Sequence, residues 1–311
     1  MTEEQKMIYE LLVELDEICS NHNLNYFLSP RMTLSIYARH ELPASPLQGV
    51  LFLPVHQMEQ FRLAVEQDKR EDRYLDSMYD NPRYPNFSFR YTNTQSLCYC
   101  LNKGRNLRYP GIGIDICPIR PVYDVKEKGF SYRYLMGLEC GWKQTCDLHK
   151  EMFSFQDRLW KIWVMILSAF GKEAFGRKLY RKLCTCFSQE VHGETGIERP
   201  QWQYYQAGRF DGTARLALED HSFLVPKDME GYLTEHYGEE YKKKAKTSFE
   251  TPLVWMISPR ISCQEFFEQA GDLSRMIRAR RRLNVRDEKT QKYRQSFLDG
   301  WEICKQAAER Q

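Results

Sequence analysis

Asp115 sits between Ile114 and Ile116, a lone carboxylate in an apolar run that reads as a strand. Arg39 and His40 stand side by side after a helical stretch, and Arg90 lies in a second strand-like run. A strand carboxylate can ligate a divalent cation, and an arginine fork suits a phosphate. Each residue also has an ordinary reading. Asp115 is then a structural acid bonded to backbone or to a basic neighbour, and Arg39-His40 a solvent-facing pair at a helix end. Metal-dependent phosphoryl chemistry asks for more than one acid, because Mg2+ and Mn2+ want several hard oxygen ligands. An Asp-x-Asp pair on a strand meets that need, since alternate side chains share a face. From Leu42 to Met58 the chain holds no Asp or Glu at all.

The remaining chemistry-bearing residue types point to packing. Cys98/Cys100 and Cys184/Cys186 are C-x-C pairs, not the C-x-x-C spacing of structural zinc. On a strand, Cys98 and Cys100 would share one face and Tyr99 the other. The opening Met1-Thr2-Glu3-Glu4-Gln5-Lys6 is polar and acidic, unlike a secretory leader, so reduced cysteines in a cytoplasmic protein are the expectation. Apolar residues make up 42% and aromatics 14%, which places the chain among folded globular proteins. A net charge of +3 is too small to imply nucleic acid. Basic residues nevertheless bunch at 172–182, 242–246 and 275–286, as solvated helix faces or as a contact for anionic lipid or acidic polymer. The apolar run 162–170, between Lys161 and Lys172, is too short to span a bilayer, which takes about 20 residues. With Arg177, Lys178, Arg181 and Lys182 it reads either as a buried helix with a charged end or as a peripheral membrane contact through 159–183 at the inner face.

These residues need a frame. Ile8, Leu11, Leu12, Leu15 and Ile18 carry helical spacing over 4–22, and 25–28 reads as a short strand. The run 49–53 is apolar without alternation, as in a strand buried on both faces, and 55–68 returns to a helical period. After the turn-rich 79–86, strands are expected at 87–91, 96–101 and 111–117, with Pro118 and Pro121 ending the last. Beyond that, 153–186 is helical, 188–201 a surface loop and 216–224 a hairpin remnant. Pro226 opens a helix through Tyr232 and Leu233, and 263–311 is helix-compatible. The expectation is an α/β (α+β) protein: a mixed-sheet core over 1–125, with a mainly helical region over 126–311 packed on it as one unit.

Four segments together resemble the LicD family of phosphocholine transferase-like proteins, related to fukutin. The first is Leu12-Val13-Glu14-Leu15-Asp16-Glu17-Ile18-Cys19 with Leu24-Asn25-Tyr26-Phe27-Leu28. The second is Arg39-His40 with Leu42-Pro43, where the family has Arg-His and Ile-Pro ahead of a cluster of aspartates. The third is Tyr84-Pro85-Asn86-Phe87, Thr94 and Ile112-Gly113-Ile114-Asp115-Ile116-Cys117-Pro118-Ile119. The fourth is Phe223-Leu224-Val225-Pro226-Lys227-Asp228, Tyr232-Leu233 and Tyr237-Gly238-Glu239. In order and at plausible spacing, they are spread over about two-thirds of the chain.

The resemblance implies a nucleotidyltransferase-like mixed sheet and transfer of a phosphate-linked group from a CDP-linked donor to a hydroxyl, assisted by divalent metal. It makes Asp115 the surviving catalytic carboxylate and Arg39, His40 and Arg90 candidate substrate contacts. The departures are concentrated at the chemistry. Pro46-Leu47-Gln48-Gly49-Val50 stands where the Asp-x-Asp strand belongs, and Ser29-Pro30-Arg31-Met32-Thr33 where the family has a Gly-rich turn. Phe89 or Arg90 stands at a strand lysine, and Arg120 at an aspartate. The leading expectation is therefore a catalytically silent member with no metal site and no cofactor. It would work in polysaccharide decoration by binding an active transferase or a polysaccharide precursor. The alternative is an active enzyme with a rebuilt Mg2+ or Mn2+ site using Asp115 with Glu41, Glu59 or an acid from the second half. A third reading is a membrane-associated scaffold using Trp160, Trp163 and the basic run to Lys182.

Overall fold

A computed structural model describes residues 1–45, 49–100, 107–121, 129–146, 154–186, 195–199, 201–244, 255–270, 299–303 and 305–306. The protein is mixed α/β. Helix α1 (Glu3–Asn21) opens on a reciprocal cap between Thr2 and Gln5. It buries Ile8, Leu11, Leu12, Leu15 and Ile18 along one face. Strand β1 (Phe27–Leu28) leads into α2 (Pro30–Arg39), where Pro30 stands in the first turn and costs no backbone bond. Then come β2 (Val50–Pro54), a 3-10 turn (Val55–Gln57), α3 (Met58–Gln67), β3 (Arg73–Ser77), β4 (Phe89–Asn93), β5 (Leu97–Cys100) and β6 (Gly113–Pro121).

The sheet runs β1-β2-β6-β4-β3, with β2 and β6 parallel and the other pairs antiparallel. Its two faces differ. Leu28, Leu51, Leu53, Phe89, Tyr91, Ile114 and Ile116 pack against α1 and α3 in the main core. Phe27, Val50, Phe52, Cys117 and Ile119 point the other way, into a smaller cluster with Ile197, Tyr205 and Tyr232.

The second half contributes α4 (Gly129–Cys146), α5 (Phe155–Leu167) and α6 (Lys172–Cys186). Trp142, Leu179, Tyr180 and Leu183 from these helices join the main core, so one apolar cluster serves both halves. There follow the hairpins β7 (Thr195–Arg199) with β8 (Gln201–Tyr205) and β9 (Thr213–Leu218) with β10 (His221–Pro226). Helices α7 (Met229–Tyr237) and α8 (Tyr241–Lys244), strand β11 (Trp255–Ser258) and helix α9 (Cys263–Ala270) complete the described elements. Asp16 ties the β9–β10 hairpin to α1. It is buried and accepts bonds from Tyr26 Oη at 2.7 Å and Arg215 at 2.6 Å, with His221 Nε2 at 2.8 Å.

Several expectations change. Strand β6 does not stop at Pro118 but runs to Pro121. The Asp115 amide donates to Gly49 on the β2 side, so by alternation Pro118 faces the opposite edge. There β4 ends at Ile116 and β7 begins at Arg120, and no strand asks for the missing N–H. The stretch expected as a surface loop supplies β7, and 188–194 lies outside the described residues. Pro226 closes β10 rather than opening a helix. Helix α7 starts at Met229, capped by the Asp228 carboxylate on the Gly231 amide at 3.0 Å. Cys98 lies in the main core and Tyr99 in a separate cluster with Phe266, as strand alternation requires. Cys19, Cys140, Cys184 and Cys263 are free thiols. Most of 263–311, including the basic run 275–286, lies outside the described residues, and so does Lys246.

Candidate functional site

The site is built where β3, β4 and β6 lie side by side. Register places Asp76 opposite Arg90, and Arg90 opposite Asp115, so the three share one face of the sheet. The next residue across, on β2, is Val50. Alternation decides which of Phe89 and Arg90 faces Asp115. Phe89 is in the main core on the other side, so it cannot fill space beside the carboxylate, and Arg90 takes that place. Pro46, Leu47 and Gln48, just ahead of β2, lie outside the described residues.

Arg90 donates to Asp115 Oδ1 at 2.7 Å and to the Gly111 carbonyl at 3.4 Å. Arg90 is 7% exposed, whereas the Asp115 side chain keeps 32% of its surface open. Burial works against the guanidinium charge, but neighbouring Asp115 more than offsets that and holds the pKa above its ordinary value. On the other flank Asp76 is fully buried and accepts from Asn81 Nδ2 at 2.7 Å and from the Arg108 amide at 3.1 Å. Burial pushes its carboxyl up to about 6 despite those bonds and the nearby Arg90 charge. Tyr84, also buried, stands close enough to feel Asp115. Its phenol is raised by burial first and by that charge second, and its hydroxyl lies 3.2 Å from Ser88 Oγ.

A divalent cation needs acids in convergence, and these residues do not supply it. Asp115 meets a guanidinium on one side and Val50, within the apolar cluster, on the other. Among the described residues no group of three His, Cys, Asp or Glu converges. Glu59, an acid considered for a rebuilt site, spends both oxygens on Arg62 at 2.9 and 3.1 Å. Where the resemblance leads one to expect a Gly-rich turn, the chain forms the first turn of α2. There the Ser29 amide donates to the Val50 carbonyl at 3.1 Å, and Thr33 Oγ1 to the Leu28 carbonyl at 3.3 Å.

Arg39 and His40 are placed apart from this row. Arg39 ends α2, and its guanidinium donates to Ser35 Oγ at 2.7 Å on its own helix. His40 is exposed and caps α2 in the left-handed region, at φ 55°. Arg120, where the resemblance leads one to expect an aspartate, forms a bidentate pair with Glu139 on α4 at 2.6 and 2.9 Å. It also lies over the Phe87 ring at 4.9 Å. Sequence reasoning missed Asp76 and Tyr84 as members of this neighbourhood. Tyr84 lay inside a quoted motif segment but carried no role. Asp76 sits in Arg73-Tyr74-Leu75-Asp76-Ser77, whose polar residues hid a strand.

Comparison of the chain with models of protein families, with curated proteins and with solved structures found no match in any of the three.

Proposed function

We propose that this protein is a catalytically silent LicD-like transferase relative. Its scaffold binds a partner, either an active transferase or a polysaccharide precursor, and does not turn over a CDP-linked donor. The observation that carries the reading is the 2.7 Å pair between Arg90 and Asp115. A fixed cation of the protein meets the charge of the one carboxylate that the resemblance makes catalytic. A divalent ion would have to displace that guanidinium into a buried, low-dielectric setting, which costs several kcal/mol per ion. It would gain a single protein carboxylate in return. The valine opposite Asp115 and the helical turn in place of the glycines support the same reading.

The rebuilt-site alternative draws no support from Glu59, which is committed to Arg62. The deciding experiment incubates the purified chain with CDP-choline, Mg2+ or Mn2+ and candidate glycan acceptors, and follows release of cytidine monophosphate. A parallel calorimetric titration measures nucleotide binding with and without metal. Silence in the first and metal-independent heats in the second are expected. Metal-dependent turnover abolished by Asp115→Ala would overturn the proposal.

A further inference from the structure

Helix α5 is packed on one side only. Gly137 and Gly141 of α4 lie so close to Trp160 that a Cβ at either would collide with its ring or backbone, and Val164 beside it is fully buried. The other side of α5 is open. Leu159, Ile162, Trp163 and Ile166 follow the i, i+3, i+4, i+7 spacing of a single stripe, each 43–56% exposed. Phe170, just past the helix, is entirely exposed. Proteins seldom leave a contiguous apolar stripe of this kind to water without a use for it.

The stripe adjoins a groove of about 1000 Å³ between α4 and α6. Its floor is Leu135 and Leu138, and Phe130 and Tyr134 line one wall. Lys178 and Lys182 line the other, one turn apart on α6. Trp163 Nε1 donates to Tyr134 Oη at 3.0 Å and so joins stripe to groove. Among the described residues no carboxylate pairs with Lys178 or Lys182. Arg177 and Arg181 beside them bond to the Tyr79 carbonyl and hydroxyl, which holds the basic rim in place.

An apolar floor under a cationic rim suits a molecule with an acyl end and an anionic end. The Trp and Tyr at the boundary suit a surface that is apolar on one side and wet on the other. A helix of 13 residues is far short of the length that spans a bilayer, but enough to lie in its interface. We propose that this face docks the protein on an anionic phospholipid surface. The α5 stripe enters the acyl boundary, and Lys178 and Lys182 hold a phosphate-bearing headgroup at the mouth of the groove. Nothing in this depends on the state of Asp115.

The test is flotation of the full chain with phosphatidylcholine vesicles, with and without a third of phosphatidylglycerol, at low and high salt. Binding to the anionic vesicles at low salt, weakened by salt, is expected. Each lysine near such a surface contributes about fivefold, so Lys178→Gln with Lys182→Gln should weaken partition roughly thirtyfold. Ile162→Ser with Ile166→Ser, both at exposed positions, should abolish it while circular dichroism stays unchanged. Failure to co-float with anionic vesicles at low salt overturns the proposal, as does equal binding to neutral vesicles or wild-type binding by the serine variant. A dimer in sedimentation equilibrium that the serine variant dissolves would also overturn it, and would assign the face to a second copy of the chain.

Discussion

Asp115→Ala tests whether Asp115 is a partner for Arg90 or a ligand kept for a metal. Removing it leaves a guanidinium that is 7% exposed with its next contacts at 3.4 Å to the Gly111 carbonyl and 4.0 Å to Cys98 Sγ. Breaking a fully buried pair by deleting one member costs about 3–5 kcal/mol. Because 32% of the Asp115 side chain is open, water can reach part of the gap. Asp76 offers little relief, being already bonded to Asn81 and the Arg108 amide. The expected loss is therefore about 2–4 kcal/mol. Arg90→Met should cost less, about 0–2 kcal/mol, because the remaining carboxylate can hydrate and the methionine fills the space. The double variant should fall short of the sum by about 1–3 kcal/mol, the coupling expected of direct contact. Urea unfolding of the four proteins at neutral pH, with equal m-values, reads all three quantities. A carboxylate retained for a metal behaves oppositely: its removal relieves an unmatched charge and leaves stability unchanged or raised. An Asp115→Ala variant as stable as the parent, or an Arg90→Met variant that is the more damaged of the two, would refute the pairing argument.

Glu139→Ala should destabilise by about 2–4 kcal/mol, because it removes the carboxylate that holds the buried Arg120 guanidinium with two bonds, and thermal melting will show it as a large drop in Tm. Gly137→Ala drives a Cβ into the Trp160 ring and should cost about 1–3 kcal/mol by urea unfolding, loosening α5 from α4. Asp76 gives a pH signature of definite sign. Its folded pKa of about 6 lies above the ordinary 3.8, so its contribution is fully present below about pH 4 and is lost as pH rises through 6. The span corresponds to about 3 kcal/mol. Asp76→Asn should remove that slope, so the stability difference between variant and parent should shift by about this amount between pH 4 and pH 7. A constant difference across that range would show that Asp76 titrates normally.

The legible parts of the fold were those whose signal is local. The apolar spacing of Ile8 to Ile18 and the uninterrupted run at Val50 to Leu53 each announce how much of an element is buried, and both elements stand where the spacing puts them. Strands that exist because of distant partners were harder to read. β3 is mostly polar and is held by β4. β11 pairs with β5 across more than half the chain, and β7 adds to the far end of β6. Pro118 misled because proline forbids a donor, and whether a strand needs that donor depends on which neighbour lies alongside. The site was half legible. Asp115 was recognisable as an isolated acid on an apolar strand, and Arg90 was one of two residues at a point where the resemblance breaks down. That the two face each other follows from register and alternation between non-adjacent segments, which no local pattern carries.

The same geometry explains why a pair of metal-binding acids would be hard to build here one residue at a time. Val50 is fully buried among Phe27, Phe52 and Cys117, so an aspartate there would be an ionised group in an apolar cluster unless a cation arrived with it. Arg90, the cation in the same row of the sheet, is already held on the far side of Asp115. Removing Arg90 first would leave Asp115 as a single carboxylate beside an apolar strand, still a poor ligand set for a hard ion. Each step toward a metal site is thus unfavourable without the other, whereas the present arrangement satisfies Asp115 with a fixed charge. An arginine beside a lone carboxylate neutralises its charge but, unlike a metal ion, offers no coordination position to polarise a leaving oxygen.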